Sequence, residues 1–321
     1  TIVAAAVAAL VAAPAAFADV KVSGFIVQEY VNDDDTGTSD DGLESHSETS
    51  VYVSGSEDLG NGMKASFKID LSGDDGSVGR GGQTVALSGD FGSLTVGRME
   101  SLTESKTFSA MNMDSADSMT VEPLGDHDYG TSEGGIAYMS PSMNGFQVGV
   151  ACGAEQNVAT TNIGDRNDNC DVTDIYASYS NGGLNVQVSQ LEVNNSVVAG
   201  ANDEETLGAA ITYKMGATTL IAGYGDMDNL NGNSDDDADA TMIGVKHTMG
   251  NNTIALGMTN EEMNDSGTVT DTDTVILDLA HNLSKQTKLF VTYQDKEVDV
   301  AGTTTGDSDK STYAVGVKHS F

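Results

Sequence analysis

Basic residues are scarce in this chain of 321 residues: 14 Lys and Arg stand against 49 Asp and Glu, a formal charge of -35 at pH 7. That balance excludes a basic patch able to hold nucleic acid or anionic headgroups, because phosphate is repelled. Long apolar runs are scarce as well. After Ala18 none is long enough for a spanning helix. Hydrophobic residues make up only 38% and Trp is absent, a composition that elsewhere signals disorder. Here the apolar residues are ordered along the chain, so the chain folds. Catalytic signatures are missing too. No nucleophile elbow, His-Glu-x-x-His or glycine-rich phosphate loop stands in a strand–helix context.

What is present begins with Thr1 to Ala18, an uncharged Ala/Val-rich run ending in Ala16-Phe17-Ala18. Small residues at those positions suit a signal peptidase cleft, so cleavage before Asp19 is expected. The run is read as a signal peptide lacking its basic start, followed by one exported domain from Asp19 to Phe321. A transmembrane anchor is the competing reading, weakened by the small residues and Pro14. There are only two cysteines, Cys152 and Cys170. In an exported chain they are expected to close a loop as a disulfide. A metal site would need more ligands than two thiols.

The dominant signal is a period of two. Met63, Ala65, Phe67, Ile69 and Leu71 form one face of a segment whose other face is Lys64, Ser66, Lys68 and Asp70. The same alternation runs through Phe146–Cys152 and Tyr313–Phe321. Helical spacing would mix these classes, so the segments are strands. Their connectors alternate between two kinds. Seven are tight: Gly60-Asn61-Gly62, Phe91-Gly92-Ser93, Met143-Asn144-Gly145, Asn181-Gly182-Gly183, Gly216-Ala217, Gly250-Asn251-Asn252 and Ser284-Lys285-Gln286. Eight are long, polar and acidic: Asn32–Ser45, Asp74–Gly82, Leu102–Gly134, Gly153–Asp171, Asn194–Glu204, Asp228–Asp239, Asn264–Thr272 and Asp299–Asp309.

Fifteen connections imply sixteen antiparallel strands in an up-and-down meander. Closure removes the exposed edges of so wide a sheet, and sixteen strands leave an aqueous lumen. The polar face then meets water and the apolar face lipid, which accounts for the low hydrophobicity. An all-β transmembrane barrel is the expected fold. A soluble β-sandwich also alternates, but the short/long alternation of connectors favours the barrel.

Four segments carry a family likeness: Ser54–Phe67 (SGSEDLGNGMKASF), Val85–Arg98 (VALSGDFGSLTVGR), Ala137–Val150 (AYMSPSMNGFQVGV) and Tyr313–Phe321 (YAVGVKHSF). Together they resemble the Gram-negative general porins, the trimeric sixteen-stranded outer-membrane proteins. The resemblance implies short periplasmic turns, long extracellular loops and a third loop folded into the barrel. It implies a homotrimer among outer-membrane lipid and lipopolysaccharide. It also makes Phe321 the signal read by the barrel-assembly machinery.

The matching third loop is Leu102–Gly134. Its acids Glu104, Asp114, Asp117, Glu122, Asp126 and Asp128 would line a constriction. Family members often carry an Arg before the Tyr-x-Ser-Pro motif, where this chain has Glu133-Gly134-Gly135-Ile136.

Alternation places Lys21, Lys64, Lys68, Lys214, Lys246, Lys288 and Lys318 on the lumen face, mostly near the short turns. Lys68 and, through a bulge, Arg98 would form a basic wall opposite the acidic loop. His247 and His319 fall on the apolar side at strand ends. His127, between Asp126 and Asp128, would be favoured in its protonated form.

Runs such as Asp33-Asp34-Asp35 and Asp235-Asp236-Asp237 are a solvated surface in the plainer reading. Loop-bound calcium is the sharper one, though no run has the ligand ladder of an EF-hand. No cofactor is expected. Partition and diffusion of small hydrophilic solutes, with a modest cation preference, is the expected activity. A barrel-anchored adhesive protein and an outer-membrane hydrolase are the alternatives.

Overall fold

The period-two segments are strands in a computed structural model that describes residues 20–35, 42–74, 79, 81–113, 119, 124, 131–153, 170–194, 202–302 and 308–321. In chain order they are β1 (Lys21–Asp35), β2 (Gly42–Gly60), β3 (Met63–Asp74), β4 (Gln83–Gly89), β5 (Gly92–Glu100), β6 (Thr131–Met139), β7 (Phe146–Gly153) and β8 (Val172–Asn181). There follow β9 (Leu184–Val193), β10 (Glu204–Met215), β11 (Thr218–Asp228), β12 (Asp237–Met249), β13 (Asn252–Asp265), β14 (Thr268–Asn282), β15 (Thr287–Val300) and β16 (Ser308–Ser320). Each pairs antiparallel with its sequence neighbours, and β1 pairs β16, so the sheet closes. The run Thr1–Ala18, read above as a signal peptide, lies outside the described residues.

Closure is secured where β1 meets β16. Phe25 stands opposite Ser320, and Gly24 and Phe321 exchange both backbone hydrogen bonds at 3.0 Å. Gly24 must lack a side chain. A Cβ there would collide with the Ser50 carbonyl oxygen and approach the Phe321 ring to 2.9 Å.

Alternation decides which side chains face out. On β12, Ile243 is 62% exposed while Met242 beside it is 1% exposed. The outer faces carry Val85, Val148, Ile175, Ile211, Ile243 and Val315 as exposed apolar groups, which is the surface a lipid bilayer accommodates. The tight turns use the positive φ that Asn and Gly tolerate, as at Asn61 (φ 53°) and Gly62 (φ 77°).

Two expectations are corrected. The segment Asn264–Thr272 is not a long connector. β13 runs to Asp265 and β14 starts at Thr268, leaving the turn Ser266–Gly267 with φ 53° and 83°. These strands carry polar residues on both faces at that end, so alternation vanishes and strand looks like loop. The turn placed at Phe91-Gly92-Ser93 is also shifted. β4 ends at Gly89 and β5 starts at Gly92, so Asp90 and Phe91 make the turn.

Candidate functional site

The inner wall has two unlike parts. On β2 and β3 it is polar. Tyr52 and Asp70 are register partners, as are Ser54 and Lys68, and all four point inward because Ile69 and Leu71 point out. The Lys68 ammonium lies 4.5 Å from the centre of the Tyr52 ring and 3.4 Å from a carboxylate oxygen of Asp70. It is half exposed, so this pairing orients the charge more than it stabilises the barrel.

On β10, β11 and β12 the inner wall is floored by glycine. Gly208, Gly225 and Gly244 share the inward parity, and the segment after β5 lies against them. Beyond β5 the chain forms a π-helical turn, Thr103–Thr107, and then a 3-10 turn, Phe108–Ala110. A Cβ on Gly208 would sit 3.1 Å from Thr107 and 3.3 Å from the Phe108 ring. One on Gly225 would sit 2.8 Å from Leu124 and 3.2 Å from Phe108, and one on Gly244 would collide with the Met113 sulfur.

Phe108, Met111, Met113, Met119 and Leu124 are all buried in one apolar cluster with Ile221, Met227, Met242, Ile276 and Phe290. The inner face is therefore not uniformly polar, contrary to the sequence expectation. Where the third long connector covers it, apolar groups are buried from water on the inside as well. The signal was present. Val275-Ile276-Leu277 and Leu289-Phe290-Val291 break the alternation, because both faces of those strands are dry.

A buried carboxylate fixes where this segment starts. The Thr103 backbone N–H donates to Asp174 Oδ2 at 2.8 Å, and its hydroxyl donates to Oδ1 at 3.0 Å. Asp174, on β8, is 1% exposed, so these bonds replace water that the carboxylate has lost. Ser101 extends the anchor, its hydroxyl accepting the Glu104 N–H at 3.0 Å. Sequence reasoning did not single out Asp174. One Asp among 49 acids carries no mark of a partner 71 residues away.

Of the expected constriction acids, Glu104 lies in the first helical turn, partly exposed. Asp114, Asp117, Glu122, Asp126 and Asp128 lie outside the described residues, as does His127. Arg98 donates to the Gly81 carbonyl at 2.7 Å. The β5–β6 register shifts between Gly97 and Met99, and Gly97 has φ 134°. Arg98 thus ties down the β3–β4 connector at a bulge. Cys152 and Cys170 form a disulfide with Cα atoms 5.3 Å apart. His247 and His319 face outward, hydrogen-bonded to Thr218 and Thr287 at 2.8 and 2.9 Å. Among the described residues no group of His, Cys, Asp or Glu could hold a metal ion.

A family model described as Gram-negative porin matches residues 4–301. The chain belongs to that family. It is 27% identical to outer membrane porin protein 32 of Delftia acidovorans, over 98% of each chain. Among solved structures it resembles an anion-selective porin from Comamonas acidovorans with a TM-score of 0.75 and 20% identity, covering 95% of this chain and 100% of that one. It also resembles Salmonella typhi OmpF in complex with daunomycin (TM-score 0.74, 14% identity, 94% and 97% covered) and the trimer form of OmpT from Vibrio cholerae (0.70, 12%, 95% and 99%). These likenesses carry the fold. Family membership makes this porin an outer-membrane channel rather than an enzyme, and the hydrolase alternative falls away.

Proposed function

We propose that this porin lets ions and small hydrophilic solutes diffuse across the outer membrane as a homotrimer, with a modest preference for cations at low salt. The observation that carries the preference is charge: -35 over the chain, with 14 basic residues in all. A water-filled lumen spares solutes the cost of entering hydrocarbon, and fixed carboxylates along it raise the local cation concentration. At physiological ionic strength the Debye length is about 8 Å, enough for such a field to cross a narrow passage.

In this reading the third long connector narrows the path. Glu104, Asp114, Asp117, Glu122, Asp126 and Asp128 stand on one side, and Lys68 and Arg98 on the other. The seating of Phe108, Met113 and Leu124 on the glycine floor supports it, since apolar groups turned to the wall leave polar ones for the water. The structural neighbour described as anion-selective gives the competing expectation. The trimer form of OmpT supports the assembly proposed here. Lipopolysaccharide around the barrel, and recognition of Phe321 during assembly, complete the proposal.

The deciding experiment is the reversal potential of single channels in a planar bilayer across a KCl gradient. A cation-directed potential is expected. An anion-directed one would put the inward lysines in control of a working porin. Absence of conductance from folded protein would leave the barrel as a surface anchor.

A further inference from the structure

The even-numbered strands from β6 to β16 each carry an outward-facing ring within two residues of their tight-turn end. In order these are Tyr138, Tyr179, Tyr213, His247, His281 and His319. They stand at the edge of the apolar band that includes Ile243, Leu279 and Val315, which is the level of lipid headgroups. The belt changes character half-way round. Each tyrosine lies between apolar register partners on both adjacent strands. Each histidine has a polar partner on one side and an aliphatic one on the other: Thr218 and Ile254, Asn252 and Leu289, Thr287 and Ile26.

The three histidines are held alike. Nδ1 hydrogen-bonds the Thr218 hydroxyl at 2.8 Å in His247, Asn252 Oδ1 at 2.8 Å in His281 and the Thr287 hydroxyl at 2.9 Å in His319. Among the described residues Nε2 has no partner in any of them. His281 donates from Nδ1–H to the Asn252 oxygen, so its Nε2 donates to a second acceptor only as imidazolium. Twice the sequence is Gly-Val-Lys-His, at Gly244–His247 and Gly316–His319, which sets an inward lysine beside an outward histidine.

Charge around this arc runs against that of the chain. No acid occurs at residues 211–223, 243–258, 279–294 or 313–321, the tight-turn ends of β10 to β16, although the chain has 49. Five of its 14 bases are there: Lys285 in a turn, and Lys214, Lys246, Lys288 and Lys318 on the inner face. The tyrosine arc differs. Tyr138 donates to the Phe91 carbonyl at 2.7 Å, in the turn that also holds Asp90.

We infer that the histidine arc of β12, β14 and β16 is a docking surface for anionic phospholipid in the leaflet at the tight-turn end. The Nε2–H groups, at headgroup depth, donate to lipid phosphate. Acyl chains lie along the aliphatic partners Ile254, Leu289 and Ile26, and the lysines behind the wall add an attraction that salt screens.

This reaches beyond conduction and is independent of ion preference. Because the chain has no Trp, one introduced Trp reports a single place. A Leu289→Trp reporter lies opposite His281 and diagonal to His319, and a Val150→Trp reporter lies opposite Tyr138 on the other arc. Each protein is reconstituted in phosphatidylcholine bilayers with a rising fraction of brominated phosphatidylglycerol or brominated phosphatidylcholine. Bromine quenches the Trp only where the lipid sits against it. The medium is 0.1 M KCl at pH 6.0, below the usual midpoint of histidine.

At the Leu289→Trp reporter, brominated phosphatidylglycerol is expected to bind about threefold more tightly than brominated phosphatidylcholine, and at Val150→Trp about equally. Adding His281→Gln and His319→Gln to the folded Leu289→Trp protein is expected to bring its ratio close to one. A ratio near one with both histidines in place would overturn the inference and leave the arc to another anionic partner. So would an equal preference at the Val150→Trp reporter, or a preference that survives both histidine substitutions.

Discussion

One barrel holds two inner walls built on opposite plans. The wall of β2 and β3 presents Tyr52, Ser54, Lys68 and Asp70 to the lumen, with Lys68 half exposed to water. The wall of β10 to β12 gives up side chains at Gly208, Gly225 and Gly244 and lets another segment supply them. The first wall behaves like a surface and the second like half of a core. Substitutions that are tolerated on one should therefore be costly on the other.

The largest effect is expected from filling the glycine floor. Gly225→Leu would overlap Leu124 and Phe108, a clash worth about 1–3 kcal/mol in a packed interior, and the third connector would shift toward the water path. Single-channel conductance should drop at least about twofold, whereas Ser54→Leu on the open wall should change it little. Equal effects at the two positions would erase the distinction between the walls.

Asp174→Ala comes next. It removes both bonds to Thr103, together about 1.5–3 kcal/mol for a charged acceptor. The expected readout is a noisier open channel with more frequent closures. Thr103→Val, which keeps the backbone bond, should do less, and the double variant should add little to Asp174→Ala.

The smallest effect belongs to Lys68→Gln. Its ammonium is half exposed and already paired with Asp70, so the reversal potential at 0.1 M should move by about 5 mV in the cation direction and by almost nothing at 1 M.

The sequence told these walls apart only in part. Strand count and closure were legible because lipid on one side and water on the other force a period of two, as in Met63–Leu71. The signal failed wherever that contrast failed. Near Ser266 and Gly267 both faces of the strands are polar, so alternation does not mark them as strand. At Ile276 and Phe290 both faces are dry, and the apolar runs hid an inner surface that another segment covers. The Thr103–Asp174 anchor was illegible for a different reason: it joins two ordinary residues through topology alone.

The seam between β1 and β16 has a consequence for how the molecule comes into being. It pairs the strands that lie furthest apart along the barrel sequence, and such non-local contacts form late. Until Gly24 meets Phe321, β1 and β16 are both open edges, ready to pair with any other strand. A ring of sheet has no stable half-made form, because any missing strand leaves two raw edges. The barrel must be shielded until its ends meet, and then it shuts in one step.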